Sequence, residues 1–184
     1  MIMGQKFKTI LLYGAILSLP MILMSVLAYV FDMGQNKAYG WISILIFIVS
    51  IILIQKYYRD NFSQGFISYG KLFGGTLLMV IVAAVIMFIY TFLLYKFIAP
   101  DQIEKMIQIA KVNLYEQEGL SSAQINKSIE FMTKHVFTPF ALSLTALLST
   151  FGQGLLLSLL TSIFLKKKAD GFSEAMKDIN EIEE

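Results

Sequence analysis

Residues 72–98 read LFGGTLLMVIVAAVIMFIYTFLLYKFI, and no charged side chain occurs in the stretch before Lys96. At about 1.5 Å per helical residue the run exceeds the roughly 30 Å of hydrocarbon in a bilayer. A helix this apolar has no polar face to offer water, so lipid is its natural solvent. Three more runs approach or exceed span length, at 9–31, 38–54 and 139–165. The shortest, 38–54, carries Tyr39 and Trp41 at one end and is followed by Tyr57 and Tyr58 at the other. Aromatic anchors at both ends mark the two membrane–water interfaces, so it counts as a full span. The expected fold class is therefore all-α: a polytopic membrane protein of four transmembrane helices.

Composition agrees. The 184 residues are 57% hydrophobic, above the 45 to 50% usual in soluble domains. The formal charge of +2 is too small for a nucleic-acid partner, and the lysines punctuate the ends of apolar runs instead of massing on one segment. The lipid bilayer is the partner that this pattern implies. With no cysteine, a disulfide framework, a thiolate metal site, a cysteine nucleophile and a palmitoyl anchor are all excluded. The expected organisation is one transmembrane domain over 1–168 and an acidic tail over 169–184.

Orientation follows from the basic residues close to the span ends. Lys6 and Lys8 precede the first span, Lys56, Arg59 and Lys71 lie between the second and third, and Lys166, Lys167 and Lys168 follow the fourth. All three clusters fall on one side, which places both termini in the cytoplasm of a bacterial cell and the chain in its inner membrane. A cleaved signal peptide is the rival reading of the first span, with Val26-Leu27-Ala28 as the cleavage site. The apolar run before Ala28 is longer than a signal peptide needs and is interrupted by Pro20, which favours a retained span with a kink at Pro20 and Ser18 bonding a freed backbone group.

Outside the bilayer, Tyr58, Phe62, Phe66 and Tyr69 recur at helical intervals across the 56–71 connector, which reads as an amphipathic segment lying in the headgroup region. The outer loop 100–138 reads as a helical hairpin. Asp101 and Glu104 have capping-box spacing, Ile103, Ile107, Ala110 and Leu114 form a stripe, and Gly119 supplies a stop. Ser121 and Gln124 repeat the box before a second stripe of Ile125, Ile129, Met132 and Val136, and Thr138-Pro139 restart the chain as cap and first residue of the fourth span. The stripes are expected to pack on each other. The tail sets Asp170, Glu174, Asp178, Glu181, Glu183 and Glu184 against Lys177, with Phe172, Met176, Ile179 and Ile182 on one helical face. It reads as a solvated tail first and a partner-binding amphipathic helix second.

Helices in lipid associate through small residues that let backbones approach. In the fourth span Ala146, Thr150, Gly154, Ser158 and Ser162 recur every fourth residue, Gly70 and Gly74 begin a similar ridge at the third, continued by Gly75, Ala83 and Ala84, and Gly14 and Ser18 offer a shorter one in the first. These are the candidate packing positions, serving the chain's own bundle ahead of a homo-oligomer seam. Gln153, flanked by Gly152 and Gly154, is the most polar mid-span residue, and its amide is expected to bond another helix. No ionisable side chain lies within the spans away from their ends, the usual mark of ion pathways and proton relays. His135 is the only histidine, and no phosphate-binding glycine loop, zincin helix or serine elbow is present. Catalytic, cofactor and metal sites are accordingly expected to be absent.

The order Tyr57-Tyr58-Arg59-Asp60, then Gly65-Phe66-Ile67-Ser68-Tyr69-Gly70 leading into Gly74, a helical outer loop, and a last span closing on Lys166-Lys167-Lys168 resembles the bacterial family of small membrane proteins catalogued as domain of unknown function 4199. The resemblance covers about 7–168 and implies a four-span inner-membrane protein without an established activity. The function expected is structural or accessory, exercised through helix packing and a protein partner or homo-oligomer. The alternative is a component of a small-solute transporter or channel, its oligomers lining a path past Gln153.

The lysine distribution makes a topological prediction. In intact cells a membrane-impermeant thiol reagent should label Asn113→Cys and Asn126→Cys but spare Lys177→Cys; labelling at 177 and not at 113 would reverse the assignment.

Overall fold

The computed structural model describes residues 2–34, 36–63, 65–116 and 121–167, without the side chains of 2–6 and 62. Gln64, Gly119, Lys168 and the acidic tail thus lie outside the described residues, together with the Lys6 and Phe62 side chains. Among the described residues six α-helices form: α1 (Ile2–Val30), α2 (Lys37–Phe62), α3 (Tyr69–Leu93), α4 (Asp101–Tyr115), α5 (Ser122–Phe131) and α6 (Pro139–Leu165). Two five-residue π turns, Leu94–Ile98 and Met132–Val136, extend α3 and α5. Among the described residues the only β pairing is an isolated antiparallel bridge between Ile67 and Lys167.

Four stretches are long and apolar enough to cross a membrane, Phe7–Val30, Lys37–Asn61, Tyr69–Ile98 and Pro139–Leu165. Large apolar side chains stand exposed along all of them, from Leu12, Leu19 and Leu23 through Trp41, Leu45 and Val49 to Ile89, Leu156 and Phe164. Such surfaces are stable only against acyl chains, and the chain is a multi-pass membrane protein. The second span is longer than expected, because α2 does not end with the apolar run at Ile54. Its next turns carry Gln55 and Tyr58 on the same face as Phe47 and Ile51, so packing sustains the helix where hydropathy falls.

The chain forms two compact units, Met1–Ala83 with Phe151–Glu184, and Ala84–Thr150. In the first, Leu17 of α1, Phe47, Ile51 and Ile54 of α2, and Met79, Val80 and Ala83 of α3 form a buried cluster, flanked by Tyr13, Met21, Tyr58, Phe151 and Leu157. Two glycines let this cluster close. A Cβ on Gly14 would lie 2.5 Å from Val82 Cβ and 2.8 Å from the Met79 carbonyl oxygen, and one on Gly154 would strike Val80, 2.9 Å from its Cγ2. The α1–α2 turn holds Asp32 in the left-handed region at φ 51°. Asn36 then caps α2, accepting from the amides of Ala38 at 2.9 Å and Tyr39 at 3.4 Å, and the Tyr39 hydroxyl donates back to the Met24 carbonyl of α1.

Pro20 sits inside an α1 that is continuous from Ile2 to Val30. Ser18 donates to the Ala15 carbonyl at 2.7 Å, one residue before the Ile16 carbonyl that Pro20 deprives of its donor. The connector after α2 is not the single amphipathic helix expected over 56–71. Tyr58 belongs to α2, Phe66 lies outside any helix and Tyr69 opens α3, because Gly65 turns the chain at φ +83°, a conformation that ends a helix.

In the second unit α4 packs on α5 as a hairpin, with Ile125 buried and Ile103, Ile107, Ala110, Leu114 and Ile129 half-buried. The expected box at Asp101 does not form. Pro100 occupies the cap position, placing Asp101 and Glu104 inside the first turn, where their charge favours the helix N-terminus. The Ser121 box does form, with Gln124 N donating to Ser121 Oγ at 3.3 Å and Ser121 N to Gln124 Oε1 at 2.9 Å. Thr138 Oγ1 accepts from Ala141 N at 3.2 Å and Pro139 begins α6, as the cap signal predicts. Phe88 and Phe140 meet edge to face at 6.0 Å.

Because Gly14 and Gly154 face occupied space, Gly14→Ala and Gly154→Leu should each lower stability in detergent by about 1–3 kcal/mol. Leu156→Phe, on an exposed face of α6, should leave the thermal midpoint within experimental error. Equal midpoints for Gly154→Leu and Leu156→Phe would contradict this packing.

Candidate functional site

Several serine and threonine hydroxyls within the spans return their protons to their own helices. Ser43 donates to the Tyr39 carbonyl, Ser50 to Ile46, Thr76 to Leu72, Thr145 to Ala141, Ser158 to Leu155 and Thr161 to Leu157. A span can carry such residues without a partner helix. Asn61, at the end of the second span, does the same through its Nδ2 and the Tyr57 carbonyl at 2.9 Å. The two glutamines within the spans, Gln55 and Gln153, have opposite fates.

Gln55 is fully buried, and its Nε2 crosses from α2 to α6, donating to Ser162 Oγ at 3.0 Å and to the Ser158 carbonyl at 3.3 Å. Its Oε1 accepts nothing among the described residues, where the amide is anchored through its nitrogen. One turn on, Arg59 Nη1 donates to the Leu165 carbonyl at 3.2 Å, while its Nε holds Asp60 at 2.7 Å. A guanidinium at the last carbonyl of α6 satisfies an orphan acceptor and complements the negative end of the helix dipole. The chain beyond α6 then meets the connector: Ile67 N donates to the Lys167 carbonyl at 2.8 Å, Lys167 N to the Ile67 carbonyl at 3.1 Å, and Lys167 Nζ lies 5.3 Å from the centre of the Phe66 ring. Ile67 is buried at this joint. Behind it, a Cβ on Gly75 would meet the Tyr58 ring at 2.8 Å, so glycine there lets α3 approach α2.

These contacts form a junction at the lysine-rich end of the spans, built from Gln55, Tyr58, Arg59, Ile67, Ser158, Ser162 and Lys167. Its chemistry is that of a fastening. The Arg59 guanidinium, the Gln55 amide nitrogen, the Ser162 hydroxyl and backbone groups each pair across elements. Among the described residues no three histidine, aspartate or glutamate side chains gather as metal ligands. His135 is exposed on the second π turn, its ring 5.0 Å from Phe131.

The packing positions named from sequence are distributed as follows. Thr150, Gly154, Ser158 and Ser162 are buried and Ala146 is half-buried, so the regular stripe of α6 faces protein. Gly70 is exposed, Gly74 half-buried, and a Cβ on either would meet nothing within 4 Å; the contact that they were expected to begin is made by Gly75. Gln153 is exposed and makes no hydrogen bond within the described residues, so the interhelical amide bond expected of it belongs to Gln55. Left unpaired in hydrocarbon, such an amide would cost roughly 2–7 kcal/mol. Gln55 lies just beyond the apolar run 38–54, where hydropathy gives no sign of a buried position. The signal that finds it is periodicity, since Phe47, Ile51, Gln55 and Tyr58 share one face of α2.

Tyr58, Arg59, Ile67 and Lys167, drawn from the motifs on which the family resemblance rests, meet at the junction. A family model described as protein of unknown function (DUF4199) matches residues 12–167, ending on the lysine of the Ile67 bridge. The chain belongs to this family. No curated protein and no solved structure matches the chain. As a member of this family it is a membrane protein of uncharacterised activity, and its most elaborate polar constellation joins helices.

Gln55→Leu should destabilise the protein by about 1 kcal/mol, the scale of an interhelical hydrogen bond in a membrane. Arg59→Ala should lower the thermal midpoint further, while Asp60→Ala should leave it nearly unchanged because Asp60 stands in water. An Asp60→Ala loss as large as that of Arg59→Ala would assign the anchoring role to the ion pair instead of the Leu165 carbonyl.

Proposed function

We propose that this protein is a structural or accessory component of the bacterial inner membrane, with its N-terminus, the 56–71 connector and the tail in the cytoplasm. It works by presenting packed helices to other membrane proteins and carries out no catalytic step. The observation that carries this proposal is the junction itself. The interhelical polar bonds of Gln55 and the Arg59 bond to the end of α6 are spent on holding helices together, and none is directed at a path or a bound molecule. Orientation rests on Lys56, Arg59, Lys71, Lys166 and Lys167 lying beside this junction, as the positive-inside rule requires of a cytoplasmic end.

The competing role, a transporter or channel component, needs polar groups along a route through the bilayer. Affinity purification from native membranes in mild detergent, after short-range crosslinking, should recover a second membrane protein in constant proportion. The purified chain alone in liposomes should not release trapped ions or small solutes. Solute flux from the purified chain, with no co-purifying protein, would replace the accessory role by transport.

A further inference from the structure

The outward face of α6 holds three features that the fold leaves unused. Gln153 lies near the middle of the span, exposed and without a hydrogen bond among the described residues. Gly152 beside it would accept a Cβ with nothing within 4 Å, whereas Gly154, nearly opposite on the helix, is blocked by Val80. Ser149, one turn earlier, is exposed and is the one serine of α6 whose hydroxyl bonds nothing, in contrast to Ser143 and Ser158, which donate to Pro139 and Leu155, and to Ser162, which accepts from Gln55. At 100° per residue, Ser149, Gly152, Gln153, Leu156 and Leu160 lie within one face. This face is separate from the Thr150–Gly154–Ser158–Ser162 stripe that packs inside the chain.

We propose that this face of α6 is the seam of a two-fold homodimer in which Gln153 pairs with Gln153 of a second copy. The seam deepens the accessory role above by naming one partner, and rests on it only in placing the chain among helix-packing proteins. Three physical requirements select a second copy over an unrelated helix. A primary amide is both donor and acceptor, so it is complementary to itself. Copies inserted in the same orientation carry Gln153 at the same depth, and a two-fold axis along the membrane normal brings identical residues face to face. An unrelated partner would need its own amide or hydroxyl at that depth and angle. Gly152 supplies the remaining condition, a backbone low enough for a second helix to approach within hydrogen-bonding distance. Leu156 and Leu160, both exposed, continue the contact toward the lysine-rich end.

The chain has no cysteine, so single thiols report the seam directly. In native membranes Leu156→Cys should form a disulfide-linked dimer on mild oxidation, whereas Val49→Cys, exposed at mid-depth on α2, should not. Adding Gln153→Leu to Leu156→Cys should reduce the dimer about threefold to tenfold, the range of one interhelical hydrogen bond in a membrane. Gln153→Asn should restore part of it. Gly152→Leu should suppress the dimer as well, and neither Gly152→Leu nor Gln153→Leu should lower the thermal midpoint of the detergent-solubilised monomer. A dimer yield at Leu156→Cys no higher than at Val49→Cys, or one indifferent to Gln153 and Gly152, would overturn the seam. Crosslinking of Leu156→Cys to a different protein would overturn the second copy as occupant while leaving the accessory role standing. A Gln153-dependent dimer with no other protein co-purifying would keep the seam and remove the accessory role.

Discussion

Val80 and Val82 of α3 lie directly against Gly154 of α6 and Gly14 of α1, and the first compact unit depends on those two contacts. In water a helix pair gains by removing apolar surface from solvent. In lipid the acyl chains solvate leucine as well as another leucine does, so that gain vanishes and close packing must supply the association. A β-branched side chain has a stiff χ1 and a compact, fixed outline, which makes it a good knob for a glycine hole. Leu17, Phe47, Ile51 and Met79 fill the space around these contacts and are buried because the backbones are already close.

The same absence of solvent competition explains how polarity is distributed. Hydroxyls such as Ser43, Ser50, Thr76 and Thr161 fold back on their own helices, so they cost little and say little about the partner across the interface. Gln55 is too long and too polar for that solution, and its hydrogen bonds to Ser162 and Ser158 set the register of α2 against α6. Arg59 and the Ile67–Lys167 bridge continue the same fastening past the ends of the apolar segments, where water begins to compete and where charged and backbone partners are therefore needed. A gradient runs through the unit from steric packing at mid-span to hydrogen bonding at the lysine-rich end.

Gln153 stands outside this scheme. Its neighbour Gly154 is used by the fold and its neighbour Gly152 is not, although the two glycines look equivalent in a sequence of small residues. Their difference is rotational: two residues on a helix are about 200° apart, so one faces the chain and the other faces away. A second copy at the outward face would give α6 two packed sides with separate tasks.

Much of this was legible before any coordinates. Span number, the apolar solvent, the Ser121 box and the Thr138-Pro139 start of α6 follow from length, hydropathy and capping chemistry, which are local properties of the chain. The small-residue stripe of α6 could be found for the same reason, since its period of four belongs to one helix. What the sequence by itself could not decide was anything that depends on which helices become neighbours. It did not distinguish Gly75 from Gly74, because the difference is the position of Tyr58 on α2. It could not show that Gln55, just past the apolar run 38–54, is buried, because its partner lies on α6, more than a hundred residues away. It treated 56–71 as one amphipathic surface because helical spacing persists through Gly65, while the left-handed turn there and the bridge to Lys167 redirect the aromatics. Local periodicity determines which faces a helix has; only the tertiary structure assigns each face to a neighbour or to lipid, because that assignment is made by contacts between residues distant in the chain.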